Sequence, residues 1–366
     1  MQEETPHAAT HMARRWLHAC GQSGWAAEIP TLTESARAMI SRRQFLAASA
    51  ASASLSPWAA ANSFAQSLPP IKLVVGFAAG GAADFVGRQL ALHLGEELGQ
   101  TVVVDNRPGA GGRIAVEAVK NAKPDGLTLL VTPGSILTIY PHVYDKLSYN
   151  PLTDLAPIAS LCAVPYSVNI GPQVPASVQT LKDFGEWLKA HPKMASYGSP
   201  GAGTTPHFLG AMFAASYGAQ YVHAPYKGGS LALQDVMGGQ LPSSFNVVSE
   251  AVPFVGNAKL RTLAVSSPQR IPQMPHVPTF AEQGMGDMTS QEWVGLLAPK
   301  GTQPEVLARL HAAVNKCFAT DKVKKALAET AFAPLLDTRD AFAQMLKADI
   351  QKWGPVVKST GFKAEG

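Results

Sequence analysis

The feature that most constrains the fold is the order strand, small-residue turn and helix. Residues 71–77 (IKLVVGF) form a short β-branched run, and a turn of Gly and Ala follows it. From Val86 the apolar residues recur at every fourth position, which is the stripe of an amphipathic helix. Strand-like runs at 101–105 and 127–132 alternate with a helical segment at 114–122. This alternation predicts a parallel sheet with helices on both faces.

A second series of the same kind follows an extended apolar run at 156–171. The Pro- and Tyr-rich residues 133–151 before that run predict a loop. Strand-like and helical segments then alternate up to residue 265, and another extended run occupies 292–299. Three helical segments close the chain, at 306–318, 323–331 and 341–353. Two series joined by two extended runs predict two α/β lobes, with a ligand cleft between them at the carboxyl ends of the strands.

Composition excludes several classes of protein. Hydrophobic residues make up 46% of the 366 residues, which excludes a disordered chain, and 3 Cys are too few for a disulfide scaffold. The 30 basic and 26 acidic residues give a net charge of +4 without a basic block, so no nucleic-acid surface is expected. Whether Cys162 and Cys317 pair is left open, because spacing alone does not fix the distance between them.

The residues before the first strand have the pattern of an export signal. Ser41-Arg42-Arg43-Gln44-Phe45-Leu46 closely resembles a twin-arginine box, and residues 45–65 form a mildly apolar, Ser-interrupted run. That run suits a signal sequence better than a membrane span or a buried Ala-rich helix. Ser63-Phe64-Ala65 predicts cleavage before Gln66, and hence a periplasmic protein.

Met39 stands two residues before the twin-arginine box, where such a signal would begin. We therefore expect residues 39–65 to be the signal peptide. Residues 1–38 are then an upstream extension that is not native to the protein. The true start codon is not decided by the sequence.

Enzyme motifs fail when their spacing is tested. The histidines show no metal-ligand spacing, so neither a metal nor metal catalysis is expected. Ser135, Ser199 and Ser230 each lack part of a G-x-S-x-G nucleophile motif. A dinucleotide-like GAGTTP at 201–206 has Pro206 where the third Gly should stand, and no G-K-[ST] phosphate loop occurs. We predict no catalytic residue and no cofactor.

Two small-residue loops remain as candidate binding elements. One spans residues 77–84 and the other residues 199–207, and each lies between a predicted strand and a predicted helix. Free N–H groups and the helix dipole at such a position favour an anion. The alternative for the first loop is a tight turn with Asp84 as the helix N-cap. One such loop in each lobe favours an anion-binding cleft.

Two further loops are weaker candidates. Residues 225–230 (PYKGGS) offer Ser230 as a helix cap and Tyr226 as a cleft wall, but a surface turn is an equal alternative. Residues 106–113 (NRPGAGGR) open a helix and carry two arginines, and here a structural turn is the better interpretation.

Several motifs occur in one order along the chain: the paired arginines, IKLVVGFAAGG at 71–81, VDNRPGAGG at 104–112, PDG at 124–126, PYKG at 225–228 and VPT at 277–279. In this order they resemble the Bug family, the solute-binding proteins of tripartite tricarboxylate transporters. The resemblance covers nearly all of residues 68–366, and residues 1–38 lie outside it.

The resemblance implies a type II periplasmic binding protein fold with two α/β lobes that close over a small carboxylated solute. Lobe 1 would comprise residues 66–167 and 292–366, and lobe 2 residues 168–291. Such proteins hold carboxylate oxygens with amides and ordered waters from the first strand–helix loop and the matching loop of lobe 2. The closed form would then dock on membrane transporter subunits, and no chemical step is needed.

Carried over residue by residue, the resemblance assigns ligand-binding positions to both loops and to two further cleft residues. They are Phe77, Ala78, Ala79, Gly80, Gly81, Asp84, Ser135, Ser199, Gly201, Gly203, Thr204, Thr205, His207 and Asn246. Asn246 stands where the family often has Asp, so the identity of the carboxylate stays open.

The sequence leaves two other functions to be weighed. One is an orphan sensor subunit that presents its ligand to a signalling partner, which this chain alone does not distinguish from a transporter subunit. The other is an α/β hydrolase-like enzyme that uses the same cleft. The hydrolase is disfavoured because no nucleophile, base and orienting acid occur at a workable spacing. In each case we expect a monomer.

Overall fold

A computed structural model describes residues 68–364 of the chain. The predicted upstream extension (1–38) and signal peptide (39–65) lie outside the described residues. None of the helices in the described part is both long enough and apolar enough to span a membrane.

Strands and helices alternate along the described chain. The strands are β1 (Ile71–Val75), β2 (Val102–Asn106), β3 (Thr128–Pro133), β4 (Leu155–Ile170), β5 (Ser196–Ser199), β6 (Val222–Pro225), β7 (Ser243–Val247), β8 (Arg261–Val265), β9 (Gln291–Pro299) and β10 (Ala333–Pro334). The helices are α1 (Ala82–Leu98), α2 (Arg113–Lys120), α3 (Ser135–Thr138), α4 (Tyr140–Val143), α5 (Leu181–Ala190), α6 (Thr205–Tyr217), α7 (Gly229–Met237), α8 (Val248–Ala251), α9 (Pro304–Phe318), α10 (Asp321–Glu329) and α11 (Arg339–Thr360).

The strands form one curled sheet in the order β2-β1-β3-β9-β4-β7-β5-β6, with β8 and β10 also paired to β4. Strands β2, β1 and β3 are parallel, whereas β9 is antiparallel to β3 and to β4. We call these strands, with the start of β4, the first half-sheet. The end of β4 pairs antiparallel with β7 and β8, and β5 is parallel to β6 and β7. These strands form the second half-sheet.

Strand β4 belongs to both half-sheets. Pro165 is its last residue paired with β9, opposite Gln291, and Tyr166 is its first residue paired with β7, opposite Val247. The chain therefore passes from one half-sheet to the other within a single strand. The domain limits predicted at residues 167 and 292 lie close to this point and stay predictions.

Each half-sheet has apolar clusters of its own. One face of the first packs on α1, α9 and α10, and the other on α2, α3 and α11. The second half-sheet has its own two clusters. A fifth cluster joins α6 to α4 and α11 through Ile139, Val143, Phe208, Trp353 and Val357. We call this the α6 anchor, because it fixes a helix that follows β5 onto helices of the first half-sheet.

The parallel strands are buried on both faces, as expected for sheet covered by helices. Leu73, Val74 and Val75 of β1 and Leu129, Leu130 and Val131 of β3 are all 0% exposed. Burial of a Val or Leu side chain stabilises a fold by about 1.5–3 kcal/mol, so these strands provide a rigid base for the loops at their ends.

Two sequence-based predictions differ from the structure. Residues 133–151 were expected to form a loop, yet they contain α3 and α4, whose Ile136, Leu137 and Tyr140 are buried. The prolines of this segment suggested a loop, but the first turn of a helix tolerates Pro, as in α4. The last helix was expected to end at 353, but α11 continues through Pro355 to Thr360. Packing of Trp353 and Val357 in the α6 anchor accounts for this extension.

The two cysteines of the described part are free thiols. Cys162 and Cys317 are both buried, and both belong to the cluster under β1, β3 and β4. Burial raises the pKa of each thiol, so both are protonated at neutral pH.

Candidate functional site

The first candidate loop, between β1 and α1, is fastened by Asp84. The N-cap of α1 is Gly81, so the predicted N-cap role of Asp84 is wrong. Instead, its carboxylate accepts the Gly80 N–H at 2.9 Å, Arg88 Nε at 2.9 Å and Asn106 Nδ2 at 2.9 Å. Burial opposes ionisation, but these three donors outweigh it and lower the pKa of Asp84. The loop is therefore held from behind by an ionised carboxylate.

Residues 106–112 pack against the start of the first loop. Gly76 packs so closely on Gly112 that a Cβ at Gly76 would lie 2.8 Å from the Gly112 Cα. Asn106 Nδ2 also donates to the Phe77 carbonyl at 3.1 Å. The structural interpretation of the 106–113 segment thus fits these contacts. Residues 78–81 remain exposed above this support.

The second candidate loop, between β5 and α6, is tied together by its own side chains. Ser199 Oγ is 3.0 Å from the Gly201 carbonyl, and Thr204 Oγ1 donates to the same carbonyl at 2.7 Å. Gly203 has φ +77°, a backbone conformation that favours glycine, and a Cβ added there would lie 3.3 Å from the Tyr140 ring of α4. The loop therefore contacts a helix of the first half-sheet.

Two histidines stiffen the second loop. The rings of His207 and His223 stack with centroids 3.9 Å apart. Burial lowers the pKa of His207 to about 4. Burial and the neighbouring His207 lower the pKa of His223 to about 3. Both rings are neutral at pH 7, which lets His207 Nδ1 accept the Gly203 N–H at 3.2 Å. His223 Nε2 is 2.7 Å from Ser199 Oγ.

A buried carboxyl group lies where segments of the two half-sheets meet. Glu292, near the start of β9, is 7% exposed and accepts hydrogen bonds from the Ser135 N–H and the Tyr166 hydroxyl. Burial raises its pKa, while the side chains of Ser135 and Tyr166 and then Thr205 partly counter this. Ser135 begins α3 and Thr205 begins α6. Two predicted ligand residues from different half-sheets thus converge on one carboxyl group.

Asn246 of β7 lies in a separate polar cluster. It is 0% exposed, and its Nδ2 donates to the Gly229 carbonyl at 2.8 Å and to Glu250 Oε2 at 3.0 Å. Burial raises the pKa of Glu250, although the Asn246 side chain and the Gly229 amide favour its ionised form. The amides that begin α7 therefore already have an acceptor within the chain. This gives the weaker 225–230 candidate a structural explanation.

The predicted site residues differ in exposure. Ala78, Ala79, Gly80 and Gly81 are exposed; Phe77, Gly201 and Thr204 are half-buried; Asp84, Ser135, Ser199, Gly203, Thr205, His207 and Asn246 are buried. The exposed amides of the first loop are accessible to a ligand. The Asp84 and Asn246 side chains instead hold backbone segments in place, at Gly80 and at Gly229.

Ser199 and His223 form a hydroxyl–imidazole pair, but Ser199 is 0% exposed and the ring beside His223 is His207 rather than a carboxylate. A serine nucleophile needs an accessible hydroxyl and an oriented base. Within residues 68–364 no cluster of three or more His, Cys, Asp or Glu side chains is arranged to hold a metal ion.

The sequence analysis did not single out Tyr166, His223 or Glu292, and it included Asn106 only as part of the 106–113 loop. Glu292 carried a detectable signal, because an acidic residue at the start of an apolar extended run requires partners when it is buried. Asn106 directly follows a predicted strand and lies at the same sheet edge as the first loop. Tyr166 and His223 gave no comparable signal, since their partners are distant in sequence.

Comparison with known proteins decides the family. Residues 86–362 match the family model described as the tripartite tricarboxylate transporter family receptor, TctC. The chain belongs to this receptor family. Among its relatives, BugT of Bordetella pertussis is 32% identical over 295 residues, which cover 80% of this chain and 90% of BugT. The predicted Bug-type relationship is confirmed.

Solved structures of family members share the fold. The periplasmic binding protein BugD superposes with a TM-score of 0.73 at 29% identity, covering 81% of this receptor and 99% of BugD. MatC from Rhodopseudomonas palustris, solved with bound malate, superposes with a TM-score of 0.72 at 28% identity. The match covers 79% of this receptor and 98% of MatC. The predicted two-lobed periplasmic binding protein fold is confirmed.

Proposed function

We propose that this chain is a periplasmic receptor that captures a small carboxylated solute for a tripartite tricarboxylate-type transporter. The observation that carries the proposal is the pair of small-residue loops that end β1 and β5 and begin α1 and α6. Each lies at the carboxyl end of a parallel strand, the usual ligand position in α/β folds. MatC, a relative with the same fold, was solved with a carboxylic acid.

Backbone amides are the donors for the ligand in this proposal. The first N–H groups of a helix have no acceptor within the helix and carry partial positive charge. The exposed residues 78–81 offer such groups to one carboxylate, and Ser199, Gly201, Gly203, Thr204 and Thr205 line the facing loop. Asp84 and His207 hold the two loops in shape. Neither loop contains Lys or Arg, so binding relies on amides instead of cations.

Capture follows from contacts made on both sides of the cleft. A ligand that touches both loops favours the form in which the loops are close, because only that form makes every contact. The receptor acts as a monomer, and its closed form is the one that membrane subunits recognise. No bond is made or broken.

Ligand binding is tested by a matched pair of glycine variants. Gly80 and Gly99 stand at opposite ends of α1, both have positive φ, and neither would have a neighbour within 4 Å of an added Cβ. We expect Gly80→Leu and Gly99→Leu to lose similar stability, about 1–2 kcal/mol, from backbone strain. Only Gly80→Leu should lose binding.

Thermal-shift measurements with carboxylic acids provide the readout. A ligand at 100 times its Kd stabilises the folded protein by about 2.7 kcal/mol, which is a clear rise in Tm. We expect this rise for wild type and Gly99→Leu and not for Gly80→Leu. Equal shifts in all three proteins would show that the first loop does not bind the ligand, and no shift with any acid would refute the proposed function.

Export through the twin-arginine route is part of the proposal. Residues 39–65 direct export, and cleavage falls before Gln66. N-terminal sequencing of the protein recovered from the periplasm should begin at Gln66, and Arg42→Lys with Arg43→Lys should leave the precursor in the cytoplasm. Recovery of residues 1–38 on the exported precursor would contradict the start at Met39.

A further inference from the structure

The carboxyl group of Glu292 is buried without a cationic partner. In the described part of the chain its hydrogen-bond partners are uncharged: the Ser135 N–H and the Tyr166 hydroxyl, with the Ser135 and Thr205 side chains nearby. Acidic side chains are rarely buried unless they are paired. A buried acid held only by neutral donors is costly to keep, which calls for an explanation in the function of the site.

The position of Glu292 links it to the ligand. Ser135 follows β3 of the first half-sheet, and Thr205 follows β5 of the second. Both follow the carboxyl ends of strands. Thr205 lines the cleft in the proposed function, and the resemblance to the Bug family assigns Ser135 to the same cleft. Tyr140 lies beside Gly203 of the second loop, and its pKa is raised chiefly by burial and, to a smaller extent, by Tyr144 and Glu292. In the proposed cleft the carboxyl group therefore lies beside the residues that begin α3 and α6.

Glu292 already uses the donors that a second ligand carboxylate would need. In either protonation state one of its oxygens accepts the Ser135 N–H, and that amide is then unavailable to a ligand. A ligand carboxylate placed beside an ionised Glu292 would also meet a like charge in surroundings of low dielectric. An uncharged group placed there meets neither penalty.

We propose that Glu292 is a specificity-determining residue that restricts this receptor to ligands with one carboxylate and an opposite end that carries no negative charge. The single carboxylate binds at the exposed first loop, and the other end faces Glu292. This inference rests on the proposed function and adds the ligand class to it. It predicts a ligand class different from that of malate, the dicarboxylate with which MatC was solved.

Isosteric ligand pairs test the proposal directly. Succinate, glutarate and adipate are each compared with their half-amides succinamate, glutaramate and adipamate by titration calorimetry at pH 8. The two members of a pair have nearly the same shape and differ in one charge. We expect wild type to bind the best half-amide at least tenfold more tightly than its diacid.

The variant Glu292→Gln removes the charge and keeps an oxygen for the Ser135 N–H. We expect it to reduce or reverse the tenfold preference, chiefly by binding the diacid better. Glu305→Gln, a change at an exposed residue of α9, is the matched control and should keep the wild-type preference. Circular dichroism and Tm show whether each variant is folded.

The outcomes separate this inference from the function on which it rests. Wild type that binds a diacid as well as its half-amide overturns the role of Glu292 and leaves the receptor function standing, even if Glu292→Gln does not fold. A folded Glu292→Gln protein with an unchanged preference also overturns it. Wild type that binds no acid of any kind overturns both.

Discussion

Three acidic side chains, the buried Asp84 and Glu292 and the half-buried Glu250, each accept backbone N–H groups near the start of a helix. Their pKa values move in different directions because their donors differ. Asp84 has Arg88 beside it and its pKa is lowered, whereas burial dominates for Glu250 and Glu292 and raises theirs. Asp84 is therefore a structural anion at neutral pH. For the other two, burial works against the ionised form.

Removal of the Asp84 carboxylate should loosen the first loop. Asp84→Ala removes the acceptor of the Gly80 N–H and one of the two acceptors of Asn106 Nδ2, so we expect a loss of about 2–3 kcal/mol in the free energy of unfolding. Arg88→Ala should lose less than about 1 kcal/mol, because the Arg88 side chain is 55% exposed. Urea denaturation of both variants provides the comparison. Equal losses would mean that the salt bridge, and not the backbone contact, fixes the loop.

At the scale of elements, the loop between β5 and α6 depends on two neutral imidazoles. The pKa values of His207 and His223 are about 4 and about 3 in the folded protein, against about 6.5 in an unfolded chain. Below pH 6.5 the unfolded state therefore binds more protons than the folded state. Stability contributed by neutral rings is complete above pH 6.5 and falls as the pH drops towards 4.

This dependence predicts the behaviour of a histidine variant. His223→Gln keeps a polar group near Ser199 but does not titrate, so it should lose less stability than wild type between pH 7.5 and pH 5. The difference should approach about 1.4 kcal/mol for each pH unit of titration. His276→Gln, at an exposed position, is the control and should follow wild type. Parallel curves for all three proteins in urea denaturation would contradict a role for the His223 charge.

Elements were predicted well where apolar periodicity was strong. The extended run at 156–171 is β4, and the run at 292–299 is β9. Helices α3 and α4 were missed because they are short and contain Pro, so their stability comes from burial of Tyr140 and its neighbours and not from a visible stripe. The extension of α11 beyond Pro355 was missed for the same reason, since tertiary packing overrode a local helix-breaking signal.

For the whole molecule, the order of motifs along the sequence identified the family but did not show how the half-sheets and loops contact each other. The two small-residue loops were located from the sequence, because strand-to-helix turns rich in Gly are visible locally. The convergence of Ser135, Tyr166 and Thr205 on Glu292 was not, because these residues come from separate elements. The α6 anchor was not predictable from the sequence either, because Phe208 and Trp353 are apolar residues of two helices that are far apart along the chain.

The α6 anchor constrains how the cleft can open. It attaches the helix that begins with Thr205 to α4 and α11, which pack with the first half-sheet. Burial of these side chains opposes their separation, so movement of the second half-sheet is expected to pivot near this cluster. The loop between β1 and α1 is not part of the cluster and has exposed residues at 78–81.

The chain leaves the first half-sheet after Pro165 and returns to it at Gln291. These two residues are cross-strand neighbours in the pairing of β4 with β9. Residues 166–290 therefore form an insertion whose two ends lie side by side. We expect such an insertion to be exchangeable between family members at these two positions, provided that the contacts of the α6 anchor are kept. An exchange of this kind would change the ligand range without altering the strands that hold the first loop.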